Sequence, residues 1–395
     1  MPPLPTIDEA LALVLGHARP LDAEDVPIAA ALGRVTAEDT TSPVDLPPFP
    51  SSAMDGHAVR AGDTPGTLRV AGQSAAGLPA GARLEPGEAI AISTGAVVPD
   101  GADAVVPVEL SELHDGALFV PRIALGVNVR PRGGDVRAGD LVVATGTRLR
   151  PAQVGALAAC GVAVVRCARR PRVAVVPTGT ELRRPGEQLA PGEIYESNSL
   201  LLAAQLRSAG AEPELFGAVA DDPVETRAVL ERALAADVVL TSGGVSVGPH
   251  DLVRETLAEL GASEVFWRVA VKPGKPLAFA TRHATLAFGL PGNPVSSLVA
   301  FELFVRPAVL ALQGAAAPGP SFEPGTLAHT LVRGEDRDEL VRARIEHGDE
   351  GPVLHPVAGQ ESHMIARAAA ANALVLVRRG TGELPAGSRV SFVRV

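Results

Sequence analysis

Apolar positions along the chain change period three times. The opening stretch, Thr6-Ile7-Asp8-Glu9 followed by apolar residues from Ala10 to Leu15, has helical spacing behind a Thr-x-x-Glu capping box, and Gly16 and Pro20 end it. From about residue 41 to 150 the runs are short and alternating, as in Thr67-Leu68-Arg69-Val70-Ala71, Glu88-Ala89-Ile90-Ala91-Ile92 and Asp140-Leu141-Val142-Val143. Gly, Pro and Asp break them, which predicts a β unit. Residues 151–159 read as a helix leading through Gly161 to the basic linker 169–172. Beyond it, β-rich runs at 173–176, 215–219, 237–240 and 286–289 alternate with helical stretches at 197–207, 223–234, 251–260 and 295–312. Strand–helix alternation of this length predicts a doubly wound, mostly parallel βαβ sheet. The segment Ala315-Ala316-Ala317-Pro318-Gly319-Pro320 is a linker, and 321–395 is strand-like again.

Composition narrows the classes. The 395 residues are 46% apolar and 20% charged, with 41 Gly and 35 Pro, so the chain is globular, multidomain and rich in turns. A net charge of −10 and 3% aromatic residues disfavour nucleic-acid binding. No apolar run approaches the 18 or so residues that span a bilayer, and MPPLPTIDEA lacks the basic and apolar regions of an export signal. Cys160 and Cys167 form no CxxC pair and suit a reducing compartment, so a cytoplasmic setting without membrane contact is expected.

Of the 35 basic residues only two are Lys, and both stand in Val271-Lys272-Pro273-Gly274-Lys275-Pro276. Lys is a compact point charge and Arg a planar fork, so a chain that uses Arg almost everywhere keeps Lys where geometry is tight. In a parallel sheet, ligands bind outside the carboxyl ends of the strands. The loops expected there are Pro177-Thr178-Gly179-Thr180-Glu181, Ala220-Asp221-Asp222-Pro223, Thr241-Ser242-Gly243-Gly244-Val245-Ser246-Val247-Gly248 and Leu290-Pro291-Gly292-Asn293-Pro294-Val295-Ser296. Glycines and helix N-termini admit anions, and two lysines beside them describe a site for phosphate or another tetrahedral oxyanion. Each loop also has a structural reading on its own: a tight turn at Ser242-Gly243-Gly244, an N-cap at Asp222, a helix-capping turn at 291–294, a solvated charge at Glu181. The carboxylates Glu181, Asp221, Asp222 and Asp251 could hold Mg²⁺ together with substrate phosphate. No Walker loop, dinucleotide fingerprint, HExxH or GxSxG motif is present.

Five ordered motifs resemble the molybdopterin molybdenumtransferases, a family that includes bacterial MoeA and the gephyrin E domain. They are Ser52-Ala53-Met54-Asp55-Gly56, Thr94-Gly95-Ala96, Ser242-Gly243-Gly244-Val245-Ser246-Val247-Gly248, Lys272-Pro273-Gly274-Lys275-Pro276 and Gly289-Leu290-Pro291-Gly292-Asn293-Pro294-Val295-Ser296. The resemblance implies a helical linking domain (1–44 and 145–170), an inserted β-rich domain (45–144), a βαβ molybdopterin-binding domain (171–316) and a C-terminal β-barrel-like domain (317–395). It implies a homodimer whose cleft lies between the βαβ domain of one protomer and the C-terminal domain of the other. The implied reaction converts adenylyl-molybdopterin and molybdate into molybdenum cofactor and AMP, with Mg²⁺. Molybdate would be held by Lys272, Lys275, Pro276 and Ser296, with Arg337 and Ser362, or Arg342 in place of Arg337. Glu181, Asp221, Asp222 and Asp251 would serve Mg²⁺ and the anhydride. Thr178, Gly179, Ser242, Gly243, Gly244, Ser246, Gly248, Pro291, Gly292, Asn293 and Pro294 would cradle the pterin substrate, and Asp55, Thr94 and Asp135 would border the partner's cleft. The adenylyltransferase that prepares the substrate and the molybdoenzymes that accept the product are the implied protein partners. Two other readings stand beside this one: the adenylyltransferase itself, which the extra β domains oppose, and a non-catalytic pterin- or peptide-binding scaffold.

Overall fold

The computed structural model describes residues 3–244 and 252–395. The predicted capping box forms: Glu9 N donates to Thr6 Oγ1 at 3.2 Å and Thr6 N to Glu9 Oε2 at 2.8 Å, opening the helix Ile7–His17. Its buried face, Ile7, Ala10 and Val14, packs into the core of the βαβ domain, so the N-terminus is part of that domain's structure.

The chain leaves and re-enters a small linking unit through two antiparallel pairings. Ala23–Pro27 runs against Val164–Ala168, and Thr40–Thr41 against Leu141–Val143. Val26, Leu149, Leu157, Val165 and Cys167 form its core beneath the helix Pro151–Ala159. Between the pairings lies a six-stranded mixed sheet in the spatial order 104–107, 56–59, 88–92, 66–74, 117–120 and 112–114.

The central sheet explains why its strands read as continuous apolar runs. Arg172–Pro177, Val238–Ser242 and Thr285–Leu290 are adjacent and parallel, and each is buried on both faces. Val173, Val175, Val238, Leu240, Leu286 and Phe288 face one core, with the helices Asn198–Ala209 and Pro294–Leu312. Ala174, Val176, Val239 and Ala287 face the other, with Pro223–Ala233 and Leu252–Glu259. The full order is 212–215, 172–177, 238–242, 285–290, 278–282, 263–267, and the last two strands are antiparallel additions absent from the sequence expectation. The strand expected at 215–219 is Glu212–Leu215 instead. This edge strand tolerates Pro213, and Val219 contributes only a bridge to Thr178.

A second correction concerns the helix Pro294–Leu312, which is long and apolar enough to cross a membrane and is the one such helix among the described residues. It is 78% buried within the fold and carries Glu302 bonded to Arg306 (2.5 and 2.9 Å) and to Gln205 (2.8 Å), so it serves as the central core helix.

In the C-terminal region Asp338–Gly348, Gly351–Pro356, Glu323–Leu327, Arg389–Arg394 and Ala373–Val377 close into a five-stranded barrel around Leu354, Val375 and Phe392. Val271–Lys272 pairs with Asp338–Glu339 and joins the barrel to the βαβ domain.

Asp237 clamps the linking unit to the sheet. Its carboxylate accepts from Arg169 at 2.7 and 2.7 Å and from Arg172 N at 2.8 Å. Burial pushes this carboxyl up, but the bonds from Arg169 and Arg172 outweigh it and hold the group below its ordinary value. A depressed folded-state value gives stability above the unfolded value, near 4, that is lost as pH falls through the folded one. Asp237→Asn is therefore expected to cost about 1–2 kcal/mol at neutral pH, the low end for charge-assisted bonds because water screens the pair. The difference from wild type should vanish below about pH 3, as followed by urea titration at stepped pH.

Candidate functional site

A cleft of about 800 Å³ lies at the carboxyl rim of the parallel strands and under the barrel. Its floor comes from the loops following three adjacent strands. Thr178 and Glu181 follow 172–177, Ser242, Gly243 and Gly244 follow 238–242, and Pro291 to Pro294 follow 285–290. These loops touch through backbone. Gly243 N donates to Leu290 O at 3.1 Å, and Thr178 N to Ser242 O at 3.0 Å. Gly243 has φ +97°, and a Cβ there would lie 2.7 Å from Thr178 O; Gly244 has φ +65°, and its Cβ would meet Val253 Cγ2 at 2.8 Å. Only glycine fits either position, and the close approach leaves main-chain groups at the cleft floor.

The two lysines occupy one wall with different surroundings. Lys272 pairs with Glu339 of the barrel at 3.1 Å. Lys275 is exposed and makes no ion pair among the described residues; its carbonyl is fixed by Val269 N (3.1 Å) and Leu277 N (3.0 Å). Pro276, Ser296 and Arg337 line the same wall, with Ser296 in the first turn of the helix beginning at Pro294. Point charges and a helix N-terminus then face one volume, an arrangement that binds a small oxyanion.

Ser362 reaches the cleft in the same chain, where Asn293 Nδ2 donates to its Oγ at 2.8 Å and Val295 N to its carbonyl at 3.1 Å. This corrects the expectation that the barrel of a second protomer supplies the cover: this chain's own 360–363 segment and Arg337 do so. Arg342, the alternative to Arg337, is 1% exposed and lies behind the wall, donating to the carbonyls of Met364 (2.9 Å), Gly359 (2.6 Å) and Glu361 (3.3 Å).

Other expected residues lie elsewhere. Asp222 caps the helix Pro223–Ala233 by accepting from Glu225 N at 2.8 Å, and neither it nor the exposed Asp221 lines the cleft. The N-cap reading of this pair fits their placement. Gly179 sits beside the Glu181 carboxylate without lining the cleft itself. Ser246, Gly248 and Asp251 fall outside the described residues. Asp55, Thr94 and Asp135 are exposed on and beside the inserted sheet, with Asp55 Oδ1 accepting from Thr94 N at 2.7 Å, and none of them borders this chain's own cleft. His57 bonds Ser111 Oγ at 3.1 Å, and burial lowers its pKa.

Sequence reasoning missed Asn198, whose Nδ2 donates to Ser242 Oγ (2.6 Å) and Gly292 O (2.8 Å), tying two rim loops together. Its place at the head of a predicted helix was the available signal. Tyr195, Glu196, Gln360, Glu361 and His363 also line the cleft. Among the described residues no group of three or more His, Cys, Asp or Glu is arranged to hold a metal.

Three family models match in order: the MoeA N-terminal region (domain I and II) over 5–161, a probable molybdopterin binding domain over 174–311, and the MoeA C-terminal region (domain IV) over 324–395. The chain is 38% identical over 379 residues to molybdopterin molybdenumtransferase 2 of Mycobacterium tuberculosis, covering 92% of this chain and 93% of that protein. It is 35% identical to the molybdopterin molybdenumtransferase of Haemophilus influenzae, covering 98% of each. A crystal structure of molybdopterin biosynthesis moeA protein from Pyrococcus horikoshii OT3 superposes with a TM-score of 0.85 at 29% identity, covering 99% of this chain and 100% of that one.

Proposed function

Because this chain belongs to the molybdopterin molybdenumtransferase family, and so is a transferase that inserts molybdenum during cofactor biosynthesis, we propose that its rim cleft performs that insertion with Lys272, Lys275, Ser296 and Arg337 holding molybdate. The observation that carries the residue assignment is the convergence of the chain's only two lysines with the head of the core helix on one wall. Molybdate is a tetrahedral dianion. Cations and N–H donors fixed beforehand stabilise it without reorganising as the bonds to the dithiolene form. The floor loops, with main-chain groups at Gly243, Gly244 and Gly292, suit the phosphoanhydride of adenylyl-molybdopterin, which is cleaved with AMP leaving.

Glu181 is the one carboxylate of the expected magnesium set that faces the cleft among the described residues. That donor set fits Mg²⁺, which takes one or two protein carboxylates and completes its shell with water and phosphate. When bound, the ion would neutralise charge on the anhydride as it breaks. A homodimer belongs to the same reading, supported by Asp55, Thr94 and Asp135 standing exposed and away from their own cleft. Cys160 and Cys167 are free and buried, which supports a reducing, cytoplasmic setting.

The test is AMP release from adenylyl-molybdopterin, measured with and without molybdate and Mg²⁺. Release that requires both is the expected result. Release indifferent to molybdate would overturn the assignment of the lysine wall, and release indifferent to Mg²⁺ would remove the ion from the reading.

A further inference from the structure

Beyond the cleft, on the side away from the lysines, lies a second chamber of about 530 Å³. Leu182 and Glu196 line both spaces, so the two share a wall and are contiguous. The chamber is built on the last strand of the sheet, Glu212–Leu215, and on the head of the helix Asn198–Ala209.

Three features mark it as a place for a ring with a polar edge. First, Leu200 (56% exposed) and Leu215 (42% exposed) present apolar surface to it, and Phe216 adds an aromatic side chain. Second, Ser199 lines the chamber, is 4% exposed, and its Oγ has no hydrogen-bond partner. A buried hydroxyl without a partner costs free energy that a bound donor or acceptor recovers. Third, Glu196 accepts from Ser199 N at 2.9 Å through one oxygen only, leaving capacity on the shared wall for a hydroxyl donor.

The order of loops along the rim places these features relative to the chemistry. From the lysine end, the sequence is the 290–296 loop, the 242–244 loop, the 178–181 loop, and then the chamber beside the edge strand. Those four strands span roughly 14 Å at ordinary strand spacing. An adenylylated dithiolene with its sulfurs at the lysines would lay its anhydride over the glycine floor and carry its nucleoside to this far end. A pterin, joined directly to the dithiolene, stays near the lysines.

We infer that the chamber between the 182–187 segment and the 212–218 strand end is the adenosine subsite, with Glu196 taking a ribose hydroxyl and Ser199 an edge of the base. The inference rests on the insertion reading above.

The test uses AMP and molybdate as separate probes in titration calorimetry. A Cβ at Gly217, which lines the chamber, meets no atom within 4 Å, so Gly217→Trp fills the chamber without a backbone clash. Leu200→Trp, from an exposed helix position, is the second variant should the first not fold. Both are expected to weaken AMP binding at least tenfold and to leave molybdate binding within twofold of wild type. AMP affinity within twofold of wild type in a folded variant would overturn the subsite. So would retained AMP affinity with loss of 6-hydroxymethylpterin binding, because the chamber would then belong to the pterin. Failure of wild type to release AMP with molybdate would strike the insertion reading instead, and that assay is run on the same protein.

Discussion

Lys275→Ala is expected to lower molybdate-dependent AMP release by about 10²–10³-fold, the usual consequence of removing one fixed electrostatic contact from a reacting centre. The fold should survive. The side chain is exposed and unpaired among the described residues, and what holds the segment in place is the Lys275 carbonyl, bonded to Val269 N and Leu277 N. Alanine keeps that carbonyl. Lys272 is a different case, because its ammonium already binds Glu339 and fastens the barrel as well as facing the cleft. Lys272→Ala should therefore raise amide exchange along 338–339 in addition to slowing turnover, whereas Lys275→Ala should slow turnover alone. Lys275→Arg separates charge from shape: a planar fork in place of a compact ammonium should restore binding of molybdate more than it restores rate. Steady-state AMP release with melting curves as a control checks all three. Turnover by Lys275→Ala within threefold of wild type would remove this residue from the reaction.

The parts of the fold that could be read from sequence are those where a single physical rule governs. Strands 173–176, 238–240 and 286–289 were visible because burial on both faces of a parallel sheet forces continuous apolar runs. The capping box at Thr6 fixed a helix start to the residue. Ser263–Trp267 and Ala278–Arg282 escaped because they form an antiparallel pair outside the strand–helix alternation, with Glu264 and small residues diluting the pattern. The edge strand was misplaced because Leu215 and Phe216, the apolar residues that suggested it, face the second chamber rather than the core.

The same distinction holds at the site. Lys272, Lys275, Ser296 and the glycine loops could be read because their residue types are costly to keep without a ligand or a tight approach. Asp221 and Asp222 illustrate the limit, since an Asp before a Pro-initiated helix looks alike whether it caps or catalyses, and here Asp222 caps. Asn198 and Gln360 act by bonding loops that are far apart in sequence, which no local pattern encodes.

Arg342 gives the strongest expected effect on the architecture of the site. Burial lowers its pKa, yet its guanidinium stays engaged with three carbonyls of the 359–364 segment, and Gln360 brackets its backbone, accepting from Arg342 N at 3.0 Å and donating to Arg342 O at 2.9 Å. That segment carries Ser362 to Asn293 and Val295 at the head of the core helix. Arg342→Leu leaves the carbonyls buried without donors, at about 1–3 kcal/mol each before relaxation. Relaxation is available, because the segment can swing out to water, and a net cost of about 3 kcal/mol is expected. Amide protection at 359–364 should then fall by roughly 10²-fold, since each 1.36 kcal/mol is a factor of ten. Molybdate affinity should fall with it while the barrel core around Phe392 keeps its protection. Because Lys275→Ala leaves the 359–364 protection unchanged, the two variants separate a group that meets the oxyanion from one that holds the cover in place. Unchanged exchange at 359–364 in Arg342→Leu would show that the Asn293 and Val295 contacts alone suffice to close the cleft.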